Sequence, residues 1–140
     1  MGKILIPRLF RLLLTCLILS PATLLSADAT ITVTKEQSGR EIALKVGDIL
    51  LIELPAKGGT GYSWAAEATF PPCLKLLDQS TRQLTEGRQG GPVRVGGPVM
   101  QVWRFKAGQP GTCEINMAYF RPWEGVGKAV DHFRLKLHIE

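Results

Sequence analysis

Strict alternation of apolar and polar side chains is the feature that most constrains this chain. Across its last nine residues, Phe133, Leu135, Leu137 and Ile139 alternate with His132, Arg134, Lys136, His138 and Glu140. A period of two turns one set toward a core and the other toward water, which is the geometry of a half-buried β-strand. Cys113, Ile115, Met117 and Tyr119 repeat the pattern against Thr112, Glu114, Asn116 and Ala118. Ile31 and Val33 alternate with threonines. Val99, Trp103 and Phe105 share one face of a further strand, with Met100 and Val102 on the other, so this strand is expected to be largely buried. Ile49 to Leu54 is almost continuously apolar and reads as central, whereas 62–68 and 74–79 are weaker strand signals.

Glycine and proline clusters separate these runs: Pro55 with Gly58, Gly59 and Gly61; Pro71 and Pro72; Gly87 to Pro98; Gly108 to Gly111; and Pro122 with Gly125 and Gly127. Short strands with turns at such spacing predict an all-β fold, an immunoglobulin-like antiparallel β-sandwich of about seven to eight strands. Seven segments carry the signal: 30–36, 49–54, 62–68, 74–79, 99–106, 112–120 and 132–140. If successive strands reverse direction, alternate connections fall at one end. Loops 55–61, 80–98 and 121–131 would then form one composite edge on a rigid scaffold.

The chain opens differently. Lys3, Arg8 and Arg11 precede the apolar run Leu12 to Leu19, and the small residues of Ser26-Ala27-Asp28-Ala29 follow. That is the layout of a secretory signal with an Ala-x-Ala cleavage site. Residues 1–29 are expected to be removed by cleavage after Ala29, with cleavage after Ala27 as the near alternative. One domain, 30–140, remains, exported to the periplasm or secreted. The apolar run is short for a membrane span, so no stable membrane association is expected after cleavage. Trimming leaves fourteen basic residues against eleven acidic ones, so a net charge of +5 falls to +3. With no cluster of Lys and Arg interleaved with aromatics in the remainder, a nucleic-acid partner is not expected. Cys73 and Cys113 also remain, an even number in a compartment that permits disulfides. They either form a bond closing about forty residues, which would remove roughly 3–4 kcal/mol of unfolded-state entropy, or stay as two buried thiols.

The loops carry the functional signal. Gly58-Gly59-Thr60-Gly61 makes a backbone with almost no side-chain bulk, able to approach another protein closely or to form a loose hairpin. It lacks the Gly-Lys-Ser/Thr ending of a phosphate-binding loop. Arg121-Pro122-Trp123 sets a Trp beside an Arg on a proline-fixed backbone, the composition of an interface hot spot, or of a Trp folded over the core end. Arg94-Val95-Gly96-Gly97-Pro98 reads as an apolar, glycine-rich finger or a flexible insertion.

Together these segments resemble the chagasin family, immunoglobulin-like inhibitors of papain-type cysteine peptidases. Its marks are an Asn-Pro-Thr-Thr-Gly-x-x-Trp loop, a Gly-x-Gly-Gly and an Arg-Pro-Trp/Phe. Here the first appears as Thr60-Gly61-Tyr62-Ser63-Trp64, with Lys57, Gly58 and Gly59 replacing Asn-Pro-Thr. The second survives as Gly96-Gly97 with Arg94 in place of the leading Gly, and the third is intact at 121–123. The resemblance implies that Gly59, Thr60, Gly61 and Tyr62 cover the catalytic centre of a papain-like cysteine protease. Gly96, Gly97, Arg121, Pro122 and Trp123 would grip either side of its cleft. It implies reversible occlusion by a monomer, with Thr60 the central contact and Arg121 either fixing the loop or pairing across the interface. The departures at 57–59 and 94 bear on affinity and target choice.

Enzymatic readings find little support. His132 and His138 share a strand but stand about 20 Å apart, too far to serve one centre, and no catalytic or metal-ligating constellation stands out. No cofactor is expected. Two other readings remain: an exported carbohydrate- or surface-binding sandwich using Tyr62, Trp64 and Trp123 as a stacking platform, and a structural accessory domain.

Overall fold

The structure, a computed structural model, describes Gly2, residues 27–84 and residues 96–140. Most of the expected export signal and the Gln89, Gly90, Gly91 and Arg94 positions lie outside the described residues. Among the described residues eight strands form: β1 (Thr30–Thr34), β2 (Glu41–Leu44), β3 (Ile49–Lys57), β4 (Ser63–Ala66), β5 (Leu74–Gln83), β6 (Pro98–Ala107), β7 (Gly111–Phe120) and β8 (Asp131–Ile139). They make two four-stranded sheets, ordered β1-β3-β6-β5 and β2-β8-β7-β4. This is the expected all-β sandwich.

Alternation is the organising force. In β8, Phe133, Leu135, Leu137 and Ile139 are buried while the residues between them face outward. In β6 the set is Val99, Gln101, Trp103, Phe105 and Ala107. Apart from Gln101, these side chains meet Leu50, Ile52 and Leu54 of β3 and Ile115 and Met117 of β7 in one core. Each large apolar side chain so enclosed contributes roughly 1.5–3 kcal/mol through removal from water.

Three features depart from the sequence reading. The four-residue strand β2 went unseen, because Glu41-Ile42-Ala43-Leu44 offers only two apolar positions and one small one. It pairs in parallel with β8 through Glu41↔Lys136 and Leu44↔Ile139. β1 likewise pairs in parallel with β3, so both edges depart from a purely antiparallel design, while the four remaining pairings are antiparallel. β3 is not buried on both faces: Leu50, Ile52, Leu54 and Ala56 point inward, while Ile49, Leu51 and Glu53 are only half covered. The outer faces of Met100 and Val102 on β6 are half covered in the same way.

β5 is an edge strand, exposed along all but its first residue, and it extends to Gln83. Its register slips between Leu76 and Asp78. The extra length moves the start of the expected second loop beyond Gln83, as the growth of β3 to Lys57 shortens the first loop to 58–62.

Cys73, just before β5, is joined to Cys113 of β7, with Cα atoms 6.7 Å apart. The bond ties one sheet to the other. At that same end Asp48, only 7% exposed, accepts hydrogen bonds from Lys45 N–H (2.8 Å) and Ala29 N–H (2.9 Å). Ala29 is therefore part of the folded body, its carbonyl accepting from Ile49 N–H at 2.8 Å.

Candidate functional site

The opposite end gathers the end of β3, the start of β4, the end of β5, the start of β6, the end of β7 and the start of β8. Three hydrogen bonds hold the two sheets together there. Trp64 N–H donates to Gln101 Oε1 (2.8 Å), Trp64 Nε1–H donates to the Pro55 carbonyl (2.9 Å), and Lys57 N–H donates to the Tyr119 hydroxyl (2.9 Å). The ends of β3 and β4 that carry the first loop are thus fixed from both sheets. Trp64 is 3% exposed and stacks on Tyr119 with ring centroids 5.1 Å apart. It is a core residue and cannot join an exposed stacking platform.

The first loop turns on glycines. Gly59 and Gly61 have φ of 73° and 79°, a region that side-chain-bearing residues avoid. The Thr60 hydroxyl closes the turn by donating to the Lys57 carbonyl at 2.8 Å. Thr60 is half-buried, so its hydroxyl shapes the loop while Gly59 and Gly61 form the exposed surface. Gly58 N–H donates to the Gly97 carbonyl at 3.1 Å, and a Cβ at Gly58 would stand 2.6 Å from that oxygen. Among the described residues, the first and second loops therefore touch through backbone atoms.

The third loop locks onto the first. Arg121 Nε–H donates to the Thr60 carbonyl at 3.0 Å. Its guanidinium lies 4.5 Å from the Tyr62 ring centroid and 5.8 Å from that of Trp123, an arrangement favourable to a cation between aromatic faces. A salt bridge of 3.7 Å to Glu124 completes its surroundings. Tyr62 in turn packs against Tyr119, with centroids 5.4 Å apart. Arg121 thus fixes loop geometry. Trp123 stays 70% exposed, yet the tip of its indole lies directly over Gly61, where a Cβ would overlap the ring.

Gly59, Thr60, Gly61, Tyr62, Gly96, Gly97, Arg121 and Trp123 come together at one end, with Pro122 exposed beside them. Tyr119 and Gln101 escaped the sequence reading as contributors. Their signal was available: each places a hydrogen-bonding group at a core-facing position of an alternating strand. His132 lies at the start of β8, hydrogen-bonded to Glu67 at 2.8 Å, and His138 lies six residues along the same outer face. Neither belongs to the loop cluster.

The comparisons with known proteins agree with this architecture. The family model described as chagasin family peptidase inhibitor I42 matches residues 43–137. Chagasin from Trypanosoma cruzi is 26% identical over 121 residues, spanning 75% of this chain and 94% of that protein. Amoebiasin-2 from Entamoeba histolytica is 29% identical over 91 residues, spanning 65% of this chain and 70% of its own length. Among solved structures, the cysteine protease inhibitor EhICP2 from Entamoeba histolytica superposes with a TM-score of 0.67. Its identity is 22%, with 80% of this chain and 96% of that one covered, so it speaks to the fold. With its sandwich, its loop cluster and a family match over most of its length, this chain belongs to the chagasin family of peptidase inhibitors.

Proposed function

We propose that the chain is an exported, reversible inhibitor of papain-like cysteine proteases that closes the active-site cleft with its three clustered loops. The observation that carries this reading is the interlock of Arg121, Tyr62 and Trp123 over Gly61. It builds a ridge from two separate loops before any partner arrives. A preformed ridge loses little ordering entropy on binding. The glycine tip enters the cleft, while Trp123 offers a large exposed ring to an apolar wall beside it. Positive φ at Gly59 and Gly61 takes the tip out of an extended conformation, so the chain obstructs the nucleophile without aligning a carbonyl for attack. Export is supported by the basic, apolar and small-residue order of the opening segment, and the bonds of Ala29 to Asp48 and Ile49 favour cleavage after Ala27 over cleavage after Ala29.

Titration of the mature protein against papain and a cathepsin L-type enzyme tests this. Stoichiometric, reversible loss of peptide hydrolysis is expected. Because Trp123 is largely exposed, Trp123→Ala should keep the fold and weaken inhibition by roughly 30-fold or more, the effect of losing an interface anchor worth at least about 2 kcal/mol. Full potency in that folded variant would overturn the loop assignment. Unaffected hydrolysis at micromolar wild-type protein would overturn the function.

A further inference from the structure

A lysine from outside the three loops reaches the space beneath them. The short 3-10 turn Lys35–Gln37 carries the chain from β1, at the edge of one sheet, to β2, at the edge of the other. From there Lys35 Nζ donates to the Asp131 carboxylate at 2.9 Å and to the His132 carbonyl at 2.7 Å. It also lies over the Trp64 ring, 5.3 Å from the centroid, a separation that suits a cation–π contact. Trp64 belongs to β4, at the opposite edge of the second sheet from β2. Side chains from the two edges therefore meet under the loop cluster.

Each partner of this ammonium stands at the base of a loop. Asp131 and His132 open β8, where the third loop ends. Asp131 Oδ1 also accepts the His132 N–H at 2.8 Å, so the carboxylate is oriented by its own backbone. Val130 N–H, one residue earlier, donates to the Tyr119 carbonyl at 2.9 Å and closes that loop. Trp64 roots the first loop through its bonds to Gln101 and Pro55. A part-exposed ion pair contributes little by itself. Here, however, one group makes two charge-assisted hydrogen bonds and a ring contact that together span two loop bases. Arg121 joins the same loops near their tips through the Thr60 carbonyl. Two loops joined at one point can hinge about it, whereas joined at tip and base they keep a fixed angle.

We propose that Lys35 is a positioning residue of the inhibitory edge. It acts from behind the ridge, setting the angle between the first and third loops so that the glycine tip and Trp123 meet a protease together. That the ridge meets a papain-like enzyme rests on the functional reading above; that Lys35 sets the ridge rests on its own contacts. A ridge held at both points loses little freedom on binding. Without the ammonium, the third loop can swing about the Arg121 contact, and each binding event must order it again.

Lys35→Met keeps the apolar stem and removes the cation, whereas Lys35→Arg keeps a cation able to reach Asp131 and lie on the Trp64 ring. Urea unfolding, ¹⁵N-amide resonances and inhibition of papain and a cathepsin L-type enzyme are measured for each. Folded Lys35→Met should shift the amides of Thr60, Gly61 and Trp123, in loops that Lys35 does not touch at their tips. It should also inhibit roughly 10-fold less tightly, the effect of freeing one or two interface side chains. Lys35→Arg should recover most of that loss. The double variant Cys73→Ser, Cys113→Ser serves as the control for stability: it is less stable, yet its loop amides and its inhibition should match the wild type. Asp131→Asn, which loosens the grip on the ammonium and leaves the backbone bonds in place, should move the same amides with a smaller loss of inhibition, and it decides the matter if Lys35→Met does not fold. Unmoved loop amides, or unchanged inhibition, in the folded variant would overturn the positioning role. So would potency in Lys35→Arg as low as in Lys35→Met, or an equal loss in the cysteine control. Failure of the wild type to inhibit any such enzyme would overturn the functional reading instead, and the loop resonances would still decide whether Lys35 sets the ridge.

Discussion

Gly61 does something that a run of glycines in a sequence does not announce. Three glycines around one threonine suggest a tip free of bulk, and Gly59 fits that reading because it is exposed. At Gly61, however, the missing side chain makes room for the Trp123 indole, and a φ of 79° adds a second requirement for glycine. Gly61→Ala should therefore displace the Trp123 ring and strain the turn. It is expected to lower stability by about 1–2 kcal/mol from the backbone alone, red-shift tryptophan emission and weaken inhibition. Denaturant titration, fluorescence and a titration of protease activity would check the three effects. Unchanged Trp emission would mean that the ring does not rest there. Trp64 shows the converse: its sequence position suggested a surface platform, but both its nitrogens are committed to cross-sheet hydrogen bonds. Periodicity reports which way a side chain points but says nothing about its hydrogen-bond partner. Gln101 and Tyr119 were therefore visible as positions and invisible as roles.

Among the elements, the long alternating strands were legible and the short or exposed ones were not. β7 and β8 carry enough apolar residues at period two to be read without help. β2 has too few to distinguish it from a turn, and it exists because β8 offers it a parallel partner. β5 is a strand through its ladder to β6, not through its composition, since nearly all its side chains face water. The disulfide gives that weakly buried strand a covalent hold on β7 of the other sheet. Replacing both cysteines with serine should lower unfolding free energy by about 3–4 kcal/mol on the chain-entropy account. The loops lie at the far ends of β5 and β7, so the folded double variant should inhibit as the wild type does. Urea unfolding and inhibition assays together distinguish this from a bond that shapes the loops.

Over the whole molecule, charge was the least informative quantity, whereas one buried carboxylate matters at acid pH. Backbone N–H groups of Lys45 and then Ala29 hold the Asp48 carboxyl below its ordinary range. A carboxylate with a lower pKa folded than unfolded binds fewer protons in the native state. Its contribution is complete above the unfolded value of about 3.9 and is lost as pH falls through the folded one. Wild-type Tm should thus fall as pH drops below about 4. Asp48→Asn should melt lower at pH 7 and lose less over the acid range. Parallel acid slopes for the two proteins would show that Asp48 does not couple folding to protons.

The stapled end and the loop end stand roughly 25 Å apart along β7, and the core between them is continuous. Substitutions at one end are then thermodynamically independent of those at the other, apart from any that reach the intervening strands. Selection can accordingly re-tune the loops toward a changed target without eroding the reserve of stability that tolerates such experiments. The sandwich behaves as a chassis, and the same separation makes it a natural starting point for loop grafting.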